Sequence, residues 1–347
     1  MTINTFVGWD VGGAHLKVAS VDRSGMVTNA IQFPSPLWLG MNHLDQALDN
    51  ASQYLPVGKV MHVMTMTAEL VDIFDDRCAG VSQLVATFTK RFGNHIKIYA
   101  GQSGLLDSAS VANHIEEIAS ANWHATANYV GSLVGDGILV DIGSTTTDII
   151  PFQSGRCCQR GYTDRERMQF NELVYTGIIR TPVMAIVDCI PYKGEWQSLT
   201  AECFATMADI YRLTGELNED DDMMTPPDGA GKTPSASLKR LARMLGTDPG
   251  HGENLANWRQ AAFFIAEQQL QQISQALFRV LSDKTIADDA PLIGAGCGRF
   301  LVYKLSQRTC RPYMDFSELL DVDDNLRLAA ASCAPAVSVA QIARGDF

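Results

Sequence analysis

One pattern occurs twice in this chain, at residues 6–22 (FVGWDVGGAHLKVASVD) and at residues 138–152 (ILVDIGSTTTDIIPF). Each copy has an apolar run, the triplet Asp-(Val or Ile)-Gly, two or more small residues, and a second apolar run that leads to another turn. The pattern predicts a β-hairpin whose tight, glycine-containing turn directs backbone N–H groups outward. Because the two copies share one plan, they predict two related lobes whose turns face each other across a cleft.

A third glycine-rich segment, LIGAGCG at residues 292–298, lies between a predicted strand and a predicted helix. A nucleoside or another ligand can pack against such bare backbone, which makes Gly294 and Gly296 candidates for ligand binding. The alternative is a turn that serves only the close packing of the strand and the helix. The segment falls in the second of two predicted domains, residues 1–134 and residues 135–347, a division that suits a chain of 347 residues.

Charge and cysteine usage argue against several classes of protein. A net charge of -12 disfavours a broad surface for nucleic acid or anionic membrane, since both attract basic proteins. The first residues lack the basic and apolar regions of a signal peptide, and no apolar run is long enough to span a bilayer. The 8 cysteines form no CxxC pair. We therefore expect a cytoplasmic protein with reduced cysteines and no nucleic-acid or membrane partner; whether it forms a homo-oligomer stays open.

Apolar periodicity predicts the elements between and after the hairpins. They are a strand and polar turn at residues 59–70, a helix that ends at Gly93, a strand at residues 95–100, long helices over residues 108–134, a turn and then a strand at residues 169–187, and a long amphipathic helix at residues 253–283. Residues 213–235 combine an acidic run with prolines and glycines. This composition favours a mobile, solvated loop over a cation site at residues 220–222.

The two hairpin turns suit a phosphate group, which needs donors in a concave arrangement. Glycine leaves the backbone N–H groups accessible, and the hydroxyl groups that follow add donors. The predicted phosphate-binding residues are Gly12, Gly13, Gly143, Ser144, Thr145 and Thr146, together with Gly294 and Gly296. A single hairpin of this kind is more often an ordinary turn, but two hairpins and a third glycine motif together favour a ligand.

An aspartate precedes each turn. Asp10 and Asp141 are poor direct partners for phosphate but good ligands, through water, for a hydrated Mg²⁺ that bridges to substrate oxygens. Lys17 lies within reach of the same cleft as a point charge. The 7 histidines, His251 among them, form no spaced metal-binding motif. The sequence therefore predicts a magnesium site at the two aspartates.

The hairpins and the late Gly-x-Gly turn resemble the actin, Hsp70 and sugar kinase superfamily. That resemblance implies an α/β fold with two ribonuclease-H-like lobes around a central cleft, two phosphate loops and an adenosine-type loop at LIGAGCG. A closer resemblance is to the hydantoinase A-related proteins of methanofuran biosynthesis, often labelled as tetrahydromethanopterin-linked one-carbon transfer proteins. The stretches that carry it are GWDVGGAHLK, FPSPLW, MTMTAEL, ANWHATA, GDGILVDIGSTTTDIIP, ELVYTGIIRTPV and LKRLARMLGTD.

The closer resemblance implies a transferase. Such an enzyme joins an aminomethylfuran-methyl diphosphate to the phenol of a glutamyl-tyramine-type acceptor, forms an aryl ether and releases diphosphate. Its task is mostly electrostatic stabilisation and positioning. We expect Asp10 and Asp141 to hold Mg²⁺ through water, and Lys17 to bind diphosphate oxygens together with the hydroxyl residues at positions 144–146.

A phenol attacks best as a phenoxide and has a free pKa of about 10, so a base nearby would help. The candidate bases are Glu69, Asp148 and Glu172. The alternative for Glu69 is a carboxylate that stabilises a helix N-terminus, and for Asp148 a structural hydrogen bond. Arg180 follows a predicted strand and is expected either to clamp diphosphate bidentately or to form a salt bridge that fixes a loop.

Other side chains have two interpretations each. Arg167 and Arg243 either reach the cleft or form structural pairs, and a surface position is favoured for Arg240 more than for Arg243. Three aromatic residues either line an acceptor pocket or pack in the core, namely Trp38, Trp123 and Tyr175.

Two further functions compete with the transferase. Both turns and the late glycine segment are also what an ATP site needs, so an ATP-dependent small-molecule kinase or a hydantoinase-like hydrolase is the main alternative. A nucleotide-sensing or assembly protein like actin is a third class. The preferred function requires Mg²⁺ and two small molecules, the furan diphosphate and a phenolic amine, and does not require ATP.

Overall fold

Two mixed β-sheets organise the computed structural model, which describes residues 3–250, 255–282 and 286–346. The strands of the first sheet come from residues 5–107, and those of the second from residues 137–315. His251 and the first residues of the predicted helix at 253–283 lie outside the described residues.

The first sheet begins with the predicted hairpin. Its strands are β1 (Thr5–Val11), β2 (His15–Asp22), β3 (Val27–Pro34), β4 (Val60–Met66), β5 (Ile96–Tyr99) and β6 (Leu105–Asp107). They lie side by side in the order β3-β2-β1-β4-β5-β6. Within the hairpin, Asp10 pairs with Lys17 across the antiparallel strands β1 and β2.

The second sheet begins in the same way. Its strands are β7 (Gly137–Ile142), β8 (Thr147–Gln153), β9 (Arg156–Cys157) and β10 (Leu173–Val174); β11 (Cys189–Tyr192) and β12 (Glu195–Ser198) form a separate hairpin, and β13 (Leu292–Ala295) and β14 (Tyr313–Asp315) complete the sheet. The order is β10-β8-β7-β13-β14, with β9 paired to β8. Asp141 lies opposite Asp148 in the second predicted hairpin.

The two sheets share one topology. In each, the first strand has two antiparallel neighbours in succession on one side, β2 and β3 or β8 and β10. On its other side it has two parallel neighbours in succession, β4 and β5 or β13 and β14. The repeated order confirms the α/β class and the pair of ribonuclease-H-like lobes predicted from the hairpins.

Helices cover both sheets in the described part of the chain. They are α1 (Asn42–Ser52), α2 (Arg77–Phe92), α3 (Ile115–Ile118), α4 (Asn122–Val134), α5 (Asp164–Gln169), α6 (Met207–Thr214), α7 (Pro234–Met244), α8 (Leu255–Leu281), α9 (Arg299–Thr309), α10 (Arg327–Ser332) and α11 (Ala334–Asp346). No single described helix is both long and apolar enough to cross a membrane; Asp324–Ser332 and Ala334–Asp346 meet that criterion only as a pair bent by 100°.

The last helix returns to the first sheet. α11 packs against β1, β2 and β4, so a helix that follows the second sheet in the chain covers the first. The contact is close because β1 carries Gly8: a Cβ atom at this position would lie 1.9 Å from the carbonyl oxygen of Ala336.

We expect Gly8→Ala to destabilise the protein strongly. The added methyl group overlaps a backbone oxygen that cannot rotate away, and overpacking of this kind costs about 1–3 kcal/mol or more. Urea unfolding followed by circular dichroism measures the effect. The control is Gly345→Ala, at the end of the same helix, where the new Cβ meets nothing within 4 Å. Equal midpoints for the two variants would contradict this packing of α11.

Two segments differ from the prediction. Residues 108–134 hold a 3-10 helix (Ser108–Asn113), the short α3 and the longer α4 in place of long helices, and Ser120, with a φ of 52° in the left-handed region, separates α3 from α4. Residues 175–187 form no strand. The N–H groups of Ile178, Ile179 and Arg180 donate to carbonyl groups of the turn between β7 and β8 and are therefore unavailable to a sheet.

The acidic segment is a loop, as predicted, but two of its carboxylates are not solvated. Asp221 and Asp222 are buried, and Asp222 accepts a hydrogen bond of 2.6 Å from Arg212 in α6. The expected exposure of the two arginines in α7 is also reversed. Arg240 is fully buried because its Nε donates to Asp209 at 2.8 Å, whereas the side chain of Arg243 is 48% exposed.

Candidate active site

One cavity of about 530 Å³ lies between the two hairpin turns. Residues from the first sheet and the second sheet line it together, so the turns face a shared hollow. The predicted site residues in its wall are Asp10, Gly12, Gly13, Lys17, Asp141, Gly143, Ser144, Thr145, Thr146 and Arg180. The cleft expected from the repeat is therefore present, and it contains most of the predicted residues.

The two turns have the same hydrogen-bond closure. The N–H of Gly12 donates to the carbonyl of His15 at 3.0 Å, and the N–H of Gly143 donates to the carbonyl of Thr146 at 2.9 Å. These two N–H groups are therefore not available to a ligand, which corrects the role predicted for them. Within the described residues, the backbone donors left without a partner in the turns are those of Gly13, Ala14, Ser144, Thr145 and Thr146.

A loop fixes the second turn from behind. The carbonyl of Gly143 accepts from Ile178, and that of Ser144 accepts from Arg180 at 2.9 Å. Gly177 permits this approach, because a Cβ there would lie 2.5 Å from the backbone nitrogen of Thr145. The loop and the turn therefore form one rigid unit that presents Arg180 to the cavity.

Arg180 connects the two lobes. Its Nη1 lies 3.4 Å from the Thr145 hydroxyl oxygen, and its guanidinium carbon lies 4.8 Å from the ring centre of Trp38 in the first lobe. No carboxylate pairs with it among the described residues. The structure thus shows a partly buried cation in the cavity wall, available to an anion, and gives no support to the salt-bridge alternative.

The centre of the cavity is acidic and desolvated. Burial raises the pKa of Asp141 to about 7, Lys17 opposes that shift, and the nearby carboxylates of Asp148 and Asp10 add to it. Burial also raises the pKa of Asp10, again against the influence of Lys17. The Lys17 ammonium lies 3.9 Å from Asp10, close enough for attraction but beyond a direct hydrogen bond. The carboxylates are thus only partly neutralised.

These residues fit a hydrated divalent cation. Asp10 Oδ1 and Ser144 Oγ are buried and have no hydrogen-bond partner in the described ranges. No group of three or more His, Cys, Asp or Glu side chains in those ranges is arranged to hold a metal ion directly. Two carboxylates and free hydroxyls suit Mg²⁺, which retains several of its waters and takes few protein ligands.

Two of the candidate bases have structural partners. Asp148 lines the cavity but accepts a hydrogen bond of 2.6 Å from Arg167, whose guanidinium lies over the ring of Trp123. Glu172 does not line the cavity and accepts from the backbone N–H groups of Arg160 and Gly161. These contacts favour the structural alternative for Asp148, and Glu172 does not fit the role of base.

The late glycine turn is packed, not open. A Cβ at Gly296 would lie 2.3 Å from Asp141 Oδ1, and one at Gly294 would lie 2.8 Å from the ring of Tyr313. Neither glycine lines the cavity. Their small size instead lets β13 and the start of α9 approach β7, so the structure favours the packing alternative for this segment. Gly296 packs directly against the Asp141 carboxylate without lining the cavity.

Aromatic and apolar side chains surround the mouth of the cavity. Trp38 comes from the first lobe and Tyr175 from the second, and Tyr175 is 64% exposed although it lines the cavity. Leu70 is 44% exposed on the same wall. Trp123 also lines the cavity, but it is largely buried, with the guanidinium of Arg167 over its ring. An aromatic substrate could therefore contact Trp38 and Tyr175 at the rim.

The sequence did not indicate several residues of the cavity wall, such as Ser120 and Asn122 at the start of α4. The same is true of Gly177, which lies outside the cavity wall and acts through a contact with the distant second turn. Glu69 does not line it, but its Oε1 accepts a hydrogen bond of 2.7 Å from the Ser120 hydroxyl. The sequence indicated this region only through Glu69, as a candidate base, and through the ANWHATA stretch, which begins next to Ser120.

Comparison with known proteins agrees with this architecture. Residues 61–312 match the hydantoinase/oxoprolinase family. The chain is 34% identical over 244 residues to the (4-{4-[2-(gamma-L-glutamylamino)ethyl]phenoxymethyl}furan-2-yl)methanamine synthase of Methanocaldococcus jannaschii, a match that covers 70% of this chain and 72% of that protein. The protein of the same name from Methanococcus vannielii is 39% identical over 111 residues, which are 32% of this chain and 50% of that protein.

A solved structure shares the fold. Nucleotide-free acetone carboxylase superposes with a TM-score of 0.56 at 11% identity, over 89% of this chain and 68% of that chain. The duplicated sheets, the facing turns and this superposition define an α/β protein with two ribonuclease-H-like lobes around a cleft. More narrowly, the chain belongs to the hydantoinase/oxoprolinase family.

Proposed function

We propose that this protein is a transferase of methanofuran-type cofactor biosynthesis. It would join the methyl carbon of an aminomethylfuran-methyl diphosphate to the phenol oxygen of a glutamyl-tyramine-type acceptor and release diphosphate. The product name of the Methanocaldococcus relative supports the bond that is formed, since a phenoxymethylfuran is an aryl ether. The observation that carries the proposal is the single cavity in which two turns with free backbone donors face two buried aspartates.

The turns and the cations would bind the diphosphate. Free N–H groups of Gly13 and Ser144 approach the cavity from opposite lobes, and Lys17 and Arg180 contribute positive charge. Mg²⁺ bound through water to Asp10 and Asp141 would neutralise the charge that develops on the leaving diphosphate. Donors that are already in place in a desolvated site stabilise such charge with little reorganisation.

The aromatic rim would position the acceptor. A phenol ring that packs between Trp38 and Tyr175 would place its oxygen toward the acidic centre, where the furan methylene carries the reacting bond. As the carbon–oxygen bond to diphosphate breaks, its electron pair leaves with diphosphate, and the phenol oxygen forms the new bond. Orientation of the two substrates in one cavity lowers the entropic part of the barrier.

The direct test is diphosphate release by the purified protein. With Mg²⁺ and both substrates, we expect release of diphosphate in equal amount to the ether product, and no release when the phenolic amine is omitted. ATP in place of the furan diphosphate should give no ADP. Steady ADP formation that requires Asp141 would instead favour the ATP-dependent kinase or hydrolase, which uses the same cavity.

A further inference from the structure

Ser120 has an unusual backbone conformation at the wall of the cavity. Its φ of 52° lies in the left-handed region, which is unfavourable for a residue with a Cβ atom. The residue separates α3 from α4, is 6% exposed and lines the cavity. Strained residues that persist in a fold are concentrated at functional sites, so this position calls for a chemical explanation.

The Ser120 hydroxyl connects the cavity to a buried carboxylate. It donates to Glu69 Oε1 at 2.7 Å, with a longer contact of 3.5 Å to Asp164 Oδ2. Glu69 is 1% exposed and does not itself line the cavity. Its second oxygen, Oε2, is buried and has no hydrogen-bond partner in the part of the chain that the structure describes. A carboxylate that served only structure would have this oxygen satisfied.

The surroundings of Glu69 favour proton uptake. Burial raises its pKa, and the nearby Asp164 adds to that shift, whereas the Ser120 hydrogen bond and Arg77 lower it. Arg77 is paired with Asp164 at 3.1 Å, so its charge is shared. α2 packs closely on the backbone of Glu69, because a Cβ at Gly80 would lie 2.6 Å from the Glu69 carbonyl oxygen.

We propose that Ser120 passes the proton of the acceptor phenol to Glu69. This inference rests on the proposed function, because it requires a phenol in the cavity. As the phenol oxygen bonds to the furan methylene, its proton moves to Ser120 Oγ, and the Ser120 proton moves to Glu69 Oε1. The diphosphate leaves with the electron pair of the broken bond, Ser120 returns to its starting state, and Glu69 holds the proton.

Because Glu69 does not line the cavity, a proton from the cavity reaches it through the Ser120 hydroxyl group. In the described residues nothing donates to Ser120 Oγ, so the oxygen has lone pairs left for a proton from the cavity. Its own hydrogen is already directed at Glu69. A phenol has a free pKa of about 10 and is mostly protonated near neutral pH, so the reaction needs an acceptor for that proton. Ser120 is the catalytic residue of this pair, and Glu69 acts through it.

The test compares two acceptors in four proteins. The acceptors are the plain phenolic amine and its analogue with a tetrafluorinated ring, whose phenol is largely ionised at neutral assay pH. The proteins are the wild type, Ser120→Ala, Ser120→Gly and Glu69→Gln. With the plain phenol we expect kcat to fall by roughly 10²–10³-fold in each variant, within the range of general base catalysis. With the fluorinated phenol we expect near wild-type rates, since no proton has to be removed.

Ser120→Gly separates loss of the hydroxyl group from a change in the backbone, because glycine adopts a φ of 52° without strain. Ser306→Ala is the matched control: it removes a buried hydroxyl in α9 that bonds only to a backbone carbonyl, and should leave both rates unchanged. With the plain phenol, ionisation of Glu69 should add to the acid limb that Asp141 gives in the pH profile of kcat, and Glu69→Gln should leave only the part that comes from Asp141.

The outcomes separate the two proposals. An equal loss of rate with both phenols, or no loss with either, would overturn the proton transfer through Ser120. If the wild type released no diphosphate with either phenol, the proposed transferase and the relay would both be wrong. Rescue confined to the fluorinated acceptor would support the relay.

Discussion

Asp141→Asn is expected to lower turnover severely and to make the protein more stable at pH 8. The carboxyl group has a pKa of 3.8 in an ordinary environment but about 7 in the folded protein, chiefly because of burial, with Asp148 and Asp10 adding repulsion. The wild type therefore loses stability as the pH rises from about 4 to about 7, because the folded state resists ionisation there. Asparagine has nearly the same shape but cannot ionise, so it removes the free-energy cost of ionising a buried carboxyl group.

The expected rise in Tm is a few degrees, since about 1 kcal/mol shifts the Tm by roughly 2–4 °C for proteins of 150–250 residues, and less for longer chains. Below pH 4 the wild type and the variant should unfold at the same temperature. Turnover should fall by roughly 10²–10³-fold or more, the loss expected when a preorganised electrostatic contact is removed. Scanning calorimetry across this pH range and diphosphate release measure the two effects.

Ligand binding distinguishes this explanation from a general packing effect. Mg²⁺ with diphosphate should stabilise the wild type, since a ligand that binds the folded state raises its stability, but should stabilise Asp141→Asn much less. The control is Asp75→Asn, which removes an exposed carboxylate outside the cavity wall. Equal stabilisation of Asp141→Asn and wild type by Mg²⁺ and diphosphate would remove Asp141 from the metal site.

The hairpins could be predicted from the sequence because residues that are adjacent in the chain determine them. An apolar run, Asp-x-Gly and a second apolar run specify a tight turn from residues that are adjacent in the chain. The duplication then predicted the rest, since two copies of one pattern imply two sheets of one topology, and the structure has two such sheets. The position of Asp10 and Asp141 in a shared cavity follows from that symmetry.

The sequence could not predict features that depend on contacts between distant segments. The LIGAGCG turn has the composition of a ligand loop, but β7 already occupies the space in front of Gly296. Residues 175–187 have the apolar character of a strand, yet the N–H groups of residues 178–180 bond to the turn at 143–144. The left-handed Ser120 follows a short helix and is held by Glu69, 51 positions away. Each of these outcomes is set by tertiary contact, which overrides local preference.

Gly177→Ala should cost nearly as much activity as the loss of an aspartate, although Gly177 contributes no functional group. The new Cβ would lie 2.5 Å from the Thr145 nitrogen and 2.6 Å from the Gly143 oxygen. These are backbone atoms of the second turn, so the turn or the loop that carries Arg180 has to move by several tenths of an ångström or more. Misplacement of about 1 Å in a catalytic site lowers rates by roughly 10²-fold.

The loss should appear in binding and turnover of the diphosphate substrate, because the displaced groups are the ones that contact it. Gly231→Ala is the matched control, since a Cβ there meets nothing within 4 Å and the residue lies outside the cavity. Its kcat/KM should equal that of the wild type, whereas Gly177→Ala should fall about 100-fold while circular dichroism shows a folded protein. Wild-type kcat/KM in Gly177→Ala would mean that the position of the second turn does not limit the reaction, and the phosphate-binding role of Ser144 and Thr145 would then have to be abandoned.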